Sequence, residues 1–178
     1  MKNLIFTLLL TLLLLISCTN KSSLQQYFVS NQDQPNFVSV DVSPSILNLD
    51  KAKLSKEETT VLASFEKMNI LAYKANPKSK LRYNIEKSKV VDILKDTVNY
   101  HQLIKIGSGA QGASISYVGD ENHINEFVVF GNKKENGFVI ARILGRDMKP
   151  ENAMLLFSIL QKSNIEAKQL EVFKDIMK

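Results

Sequence analysis

Two stretches in the last third of the chain, Ile124–Phe130 and Phe138–Leu144, are apolar on both of their alternating sides, and this restricts the fold more than any other feature. Successive side chains of a strand point to opposite faces of a sheet. One side of this pair carries Phe127, Val129, Val139, Ala141 and Ile143. The other carries Glu126, Val128, Phe130, Phe138, Ile140, Arg142 and Leu144. Such a hairpin must lie centrally in a sheet or carry a contact surface. If Gly131 pairs with Gly137, Phe130 faces Phe138, Val128 faces Ile140, and Glu126 meets Arg142 across the ladder. A tighter turn at Asn136-Gly137 shifts the register by an even step and leaves the same residues on each face. A helix from Pro150 to Lys162 is expected to cover the second set, with the Glu–Arg pair at its rim. The alternative is a partner-binding patch of Val128, Phe130, Phe138 and Ile140, although large exposed apolar patches are uncommon on monomers.

The remaining elements follow from periodicity and capping residues. Ser22 and Ser23 stand in capping-box spacing to Gln25 and Gln26 and open a helix over 23–31. Phe37–Val42 alternates, with Val38, Val40 and Val42 on one side and Ser39 and Asp41 on the other, as in a half-buried strand. Pro44 starts a short helix with Ile46 and Leu49. Ser55 and Glu58 form a second capping box, before a helix whose apolar side includes Val61, Leu62 and Phe65. Ile70–Tyr73 reads as a short strand. Asn76-Pro77 breaks the chain ahead of a charged helix that buries Val90, Ile93 and Leu94. A further helix is expected around Tyr100, Leu103 and Ile104, capped by Gly107.

Ala113–Val118 joins the two apolar stretches to give three strands too close together for crossover helices, hence an antiparallel meander. Ala153, Leu156, Phe157 and Leu160 recur at helical spacing after Pro150, and a last amphipathic helix follows Ser163-Asn164. The expected class is α+β: a mainly antiparallel sheet of about five strands, ending in a three-strand meander and packed against helices.

The N-terminus has the architecture of a secretory signal. Lys2 precedes an apolar run from Leu4 to Ile16, interrupted only by Thr7 and Thr11. The run is too short for a spanning helix, which takes about 20 apolar residues. It ends in Leu15-Ile16-Ser17-Cys18, which resembles the lipobox of bacterial lipoproteins: cleavage between Ser17 and Cys18, then acylation of Cys18. The expected division is a signal peptide over 1–17, a lipidated tether over 18–22 and a single α+β domain over 23–178. Several acyl chains on Cys18, as the resemblance implies, satisfy the requirement that stable anchoring use more than one. Cys18 is the one cysteine in the chain, which excludes a disulfide framework and cysteine-based catalysis or zinc binding. Of 23 Lys and Arg against 18 Asp and Glu, the signal peptide holds only Lys2. The basic surplus points to anionic headgroups or envelope polymers rather than nucleic acid.

Several motif-like segments have plainer readings. Gly107-Ser108-Gly109-Ala110-Gln111-Gly112 spells G-x-G-x-x-G, but the dinucleotide fingerprint needs a strand before it and a helix after it. Here a helix is expected before and a strand after, so the segment reads as a cap and a turn, with no cofactor. Asp120-Glu121-Asn122-His123 is a polar turn without the paired-histidine spacing of a metal site. No G-x-S-x-G elbow occurs, and Trp platforms for sugars are absent. Lys74, Lys78, Lys80, Arg82, Lys87 and Lys89 form a basic cluster that suits phosphate headgroups or a solvated helix face.

Leu24-Gln25-Gln26-Tyr27-Phe28, Phe37-Val38-Ser39-Val40-Asp41, Ile46-Leu47-Asn48-Leu49, Asn69-Ile70-Leu71-Ala72-Tyr73, Glu126-Phe127-Val128-Val129-Phe130-Gly131 and Val139-Ile140-Ala141-Arg142-Ile143-Leu144-Gly145 together carry a resemblance. The chain resembles the domain-of-unknown-function 4252 family, small lipoproteins of the Bacteroidota envelope, from about Ser23 to the last helix. The resemblance implies compartment, anchor and a single domain, and no activity. In that setting Asp96-Thr97-Val98 makes Thr97 a candidate O-glycosylation residue. The absence of acidic residues over 19–23 favours a periplasm-facing outer-membrane location over the cell surface.

The expected function is a membrane-tethered, non-enzymatic binding or scaffold module for an envelope protein or polymer. The alternatives are a hydrolase with carboxylates assembled in space and a sensory input to an envelope-stress pathway. Cys18→Ala is predicted to abolish lipid attachment in cells fed radioactive fatty acid; equal label on both proteins contradicts the anchor.

Overall fold

The structure is a computed structural model that describes residues 22–162 apart from 48, 51, 52, 77–79 and 135. The signal segment, Ser17, Cys18, the Pro77 break and the expected helix after Ser163 lie outside the described residues. Ser23 and Gln26 form the expected reciprocal capping box, with bonds of 3.2 and 3.0 Å, and open α1, Leu24–Asn31. β1 is Phe37–Val42, followed by a 3-10 turn at Pro44–Leu47. Ser55 and Glu58 repeat the capping box and start α2, Lys56–Ser64. β2, Phe65–Lys74, and α3, Lys80–Leu94, complete the first half. Four strands then run without interruption: β3 His101–Ser108, β4 Gln111–Asp120, β5 His123–Lys133 and β6 Gly137–Met148. Helix α4, Asn152–Lys162, closes the described chain.

The class is α+β, and one antiparallel sheet takes six strands in the order β1-β2-β6-β5-β4-β3. The apolar hairpin β5–β6 lies at its centre, and both sides divide their residues as the alternation requires. One face gathers Val42, Met68, Ile70, Tyr117, Phe127 and Ile143 with Leu47, Val61 of α2, and Ala153, Leu156 and Ile159 of α4. The other gathers Phe37, Leu71, Tyr73, Val128, Phe130, Phe138 and Ile140 with Leu24, Tyr27 and Phe28 of α1, and Tyr83, Val90 and Ile93 of α3.

Four expectations are corrected. The segment around Tyr100, Leu103 and Ile104 is not a helix but strand β3. Gln102 pairs with Ser116 and Ile104 with Ile115, so Leu103 is the extra residue of a β-bulge. A bulge sets two residues against one, and the alternation is broken there. Phe65, expected on a helix, begins β2, which has its own irregularity between Phe65 and Lys67. The β5–β6 register is displaced by two residues: Gly137 pairs with Lys133, Gly131 with Val139, and Val128 with Arg142. The even step keeps each face intact. Finally, Val128, Phe130, Phe138 and Ile140 are buried beneath α1 and α3, not beneath the helix after Pro150, which packs on the opposite face. They are core rather than a partner-binding patch.

Gly137 is required where it stands. Its φ is +135°, and a Cβ would lie 1.8 Å from the Tyr73 carbonyl oxygen. Beside it, Phe138 is fully buried, its ring stacked on Tyr73 at 5.3 Å and in edge or tilted contact with Phe37, Tyr83 and Phe130. Phe138→Ala is predicted to cost about 3–5 kcal/mol in denaturant unfolding, the range for emptying a packed aromatic site. An unchanged midpoint contradicts its placement in the core.

Candidate functional site

The two helical layers do not cover the sheet equally. Under α1 and α3, the apolar cluster draws strand residues from β1, β2, β6 and β5 and none from β4 or β3. The helix layer stops at β5, and a groove of about 270 Å³ opens between α3 and the uncovered strands. One wall is Lys87, Val91, Leu94 and Lys95, spaced along one face of α3. The floor is Gly112, Ser114 and Ser116 of β4, whose small side chains recess it, with Phe130 and Asn132 of β5. Gln102 and Lys105 of β3 and the glycines at 107 and 109 supply the far rim.

The glycine run therefore shapes a groove, though not as a helix cap. Gly107 pairs with Gly112 and Ser108 with Gln111, leaving Gly109-Ala110 as a two-residue hairpin turn. Gly109 has φ +67°, as the first central position of a type II′ turn demands. Strands flank the run on both sides, so the helix N-terminus that a dinucleotide site uses has no counterpart here. The turn is tied down through its carbonyls. Asn132 Nδ2 donates to the Gly109 and Ala110 oxygens at 3.2 Å each, and Lys87 Nζ donates to the Gly109 oxygen. The Lys134 backbone N–H donates to the Ala110 oxygen at 2.8 Å.

The lining is electrostatically one-sided: it holds Lys87, Lys95 and Lys105 and no carboxylate. Lys95 has a partner outside the groove, Asp92 at 3.0 Å. Burial lowers the Lys87 ammonium below its ordinary range, and the positive charge of Lys134 pushes the same way. Ser116, at the groove floor, is 4 % exposed.

The buried carboxylates Glu58, Glu86 and Glu126 are each matched by a cation. A larger cleft of about 660 Å³ separates α1 from α3, but Lys89 there pairs with Glu86 at 2.9 Å and Asp92 with Lys95. Glu86 also accepts from the Tyr27 hydroxyl at 3.0 Å, and burial followed by the Glu86 charge raises Tyr27 above its ordinary range. Glu126 accepts two bonds from Arg142, at 2.7 and 2.8 Å, diagonally across β5–β6 rather than directly opposite. The Arg142 guanidinium lies 5.6 Å from the Phe28 ring centre. Burial works against its charge, and the Glu126 hydrogen bond and carboxylate outweigh it, so Arg142 stands above its ordinary range. On the opposite face Lys162 reaches Glu58 at 2.6 Å, and that bond is the main reason the carboxyl stands below its ordinary range.

The remaining candidates are dispersed. Asp120 organises the β4–β5 turn, accepting from the Asn122 and His123 backbone N–H groups at 2.9 and 3.0 Å. Thr97 is exposed in the turn after α3, where Asp96 accepts from Asn99 at 2.9 Å. Of the basic cluster, Lys87 reaches the groove and Lys89 does not, while Lys78 lies outside the described residues. Lys105 and Asn132 were not legible as groove residues, because a bulged strand and a register decide their positions. The polar alternation of Ser114 and Ser116 was the available signal.

The family described as Domain of unknown function (DUF4252) matches residues 27–156. The chain belongs to this family. The match takes in all six strands, and with them the whole DUF4252 groove. No curated protein and no solved structure matches the chain. Within the described part of this DUF4252 protein, no helix is long and apolar enough to cross a membrane.

Proposed function

We propose that the protein is a membrane-tethered, non-enzymatic binding module of the bacterial cell envelope, and that the groove between α3 and β3–β5 is its binding element. One observation carries this reading: a recessed groove lined by three lysines and no carboxylate, on a part of the sheet face that neither α1 nor α3 covers. The buried carboxylates Glu58, Glu86 and Glu126 are each held by a cation, which favours binding over hydrolysis by assembled carboxylates. The tether is the lipid on Cys18 that the lipobox resemblance implies, and the absence of acidic residues over 19–23 favours a periplasm-facing outer-membrane location.

Photo-crosslinking in intact cells tests the reading. A photoreactive residue in place of Gln102, exposed at the groove rim, is expected to give a discrete adduct. The same residue in place of Met154, exposed on α4 of the opposite layer, is expected to give none. Equal adducts at both positions, or none at either, contradict the groove as the binding element.

A further inference from the structure

We infer that the groove takes a phosphate-bearing group; this deepens the binding reading above and rests on it. The lining of the groove is positively charged. A groove with three lysines and no carboxylate has no internal source of negative charge, and only Lys95 is neutralised by a described neighbour. Lys87 is the most telling of the three. Its one hydrogen bond runs to a peptide oxygen, which carries no formal charge, so its ammonium has donors to spare. It is partly withdrawn from water with the charge of Lys134 nearby. An anion in the groove relieves both penalties at once.

The groove also offers donors that carry no charge. Ser116 is 4 % exposed and lines the groove floor, where its hydroxyl is a neutral donor and acceptor. A hydroxyl at the floor of a cavity can bond an oxygen of a group that enters it, beside the lysines at the walls.

Geometry distinguishes the class of anion. Donors converge from three elements: Lys87 on α3, Lys105 on β3, and the hydroxyls of Ser114 and Ser116 on β4. A phosphate monoester presents three terminal oxygens in different directions and suits such a surround, whereas a carboxylate presents two in one plane. Lysine serves well here as a point charge. The cavity of about 270 Å³ also leaves room for a small substituent beside Val91 and Leu94.

The test uses the full-length protein in neutral detergent micelles, titrated calorimetrically with inorganic phosphate and, separately, acetate. Phosphate is expected to saturate in the millimolar range or below and acetate to bind more weakly. Lys105→Gln is expected to weaken phosphate by about tenfold, the equivalent of one charge-assisted hydrogen bond. Lys53→Gln, whose lysine pairs with Asp50 away from the groove, is expected to change nothing. Ser116→Ala is expected to weaken binding with an unchanged melting temperature, which separates a ligand contact from a folding defect. Doping the micelles with phosphatidic acid, whose headgroup is a phosphate monoester, identifies the source: displaced phosphate assigns a lipid headgroup, and undisplaced phosphate assigns a soluble phosphorylated group. Absence of saturation, equal binding of acetate, or an unaltered affinity in Lys105→Gln overturns the inference. A Gln102-position adduct without phosphate binding overturns the ligand class alone and leaves the binding module standing; loss of both removes both.

Discussion

Burial of both faces of the β5–β6 hairpin is the constraint on which the rest of the structure depends. Phe127, Val128, Phe138 and Ile140 are almost wholly removed from water, and they point to opposite sides of the same two strands. Each such side chain contributes about 1.5–3 kcal/mol when buried, so either face left wet would forfeit much of a domain's net stability, typically about 5–15 kcal/mol. The chain therefore supplies a helical layer to each side. α1 and α3 cover one face, and α2 and α4 the other. Hairpin connections alone build β3 through β6, and β2 completes the centre by pairing with β6.

Two features sit where that coverage ends. At one rim, Glu126 and Arg142 are enclosed by the same packing that buries the hairpin, and the bidentate bond is what makes their enclosure tolerable. Removing either partner alone would strand a charge, whereas replacing both by apolar groups need not destabilise the fold. At the other rim, the layer of α1 and α3 stops before β4 and β3. The sequence over those strands changes accordingly: Ser114 and Ser116 of β4 stand beside Phe130 and Val128 of β5, small polar side chains next to bulky apolar ones. The groove is thus a consequence of how far the helices reach, and its chemistry comes from the lysines along α3 and β3.

The parts of the fold legible in the sequence are those governed by local rules. Both capping boxes, the alternation of β1, the meander and the two faces of β5–β6 follow from the positions of Ser23, Ser55, Val40, Val128 and their neighbours. The misread parts depend on contacts distant in sequence. Leu103 and Ile104 simulate helical spacing with Tyr100 because a bulge inserts a residue into β3, and only pairing with β4 reveals it. The choice of helix over Phe138 and Ile140 is likewise decided by topology, which no periodicity records. The groove was hidden for the same reason. Its lysines are scattered over α3 and β3, and the glycine run that borders it has the sequence of a helix cap as long as the segment before it has the spacing of a helix.

Native-state hydrogen exchange on the full chain tests the central claim most directly, because protection reports how completely each strand is enclosed. If two-sided burial of the central hairpin organises the fold, the amides of β5, β6 and β2 exchange only through global unfolding. Those of β3, an edge strand covered on one face, exchange fastest within the β3–β6 meander. Protection in β3 equal to that of β6, or a β5–β6 hairpin that opens before the outer strands, would contradict the account.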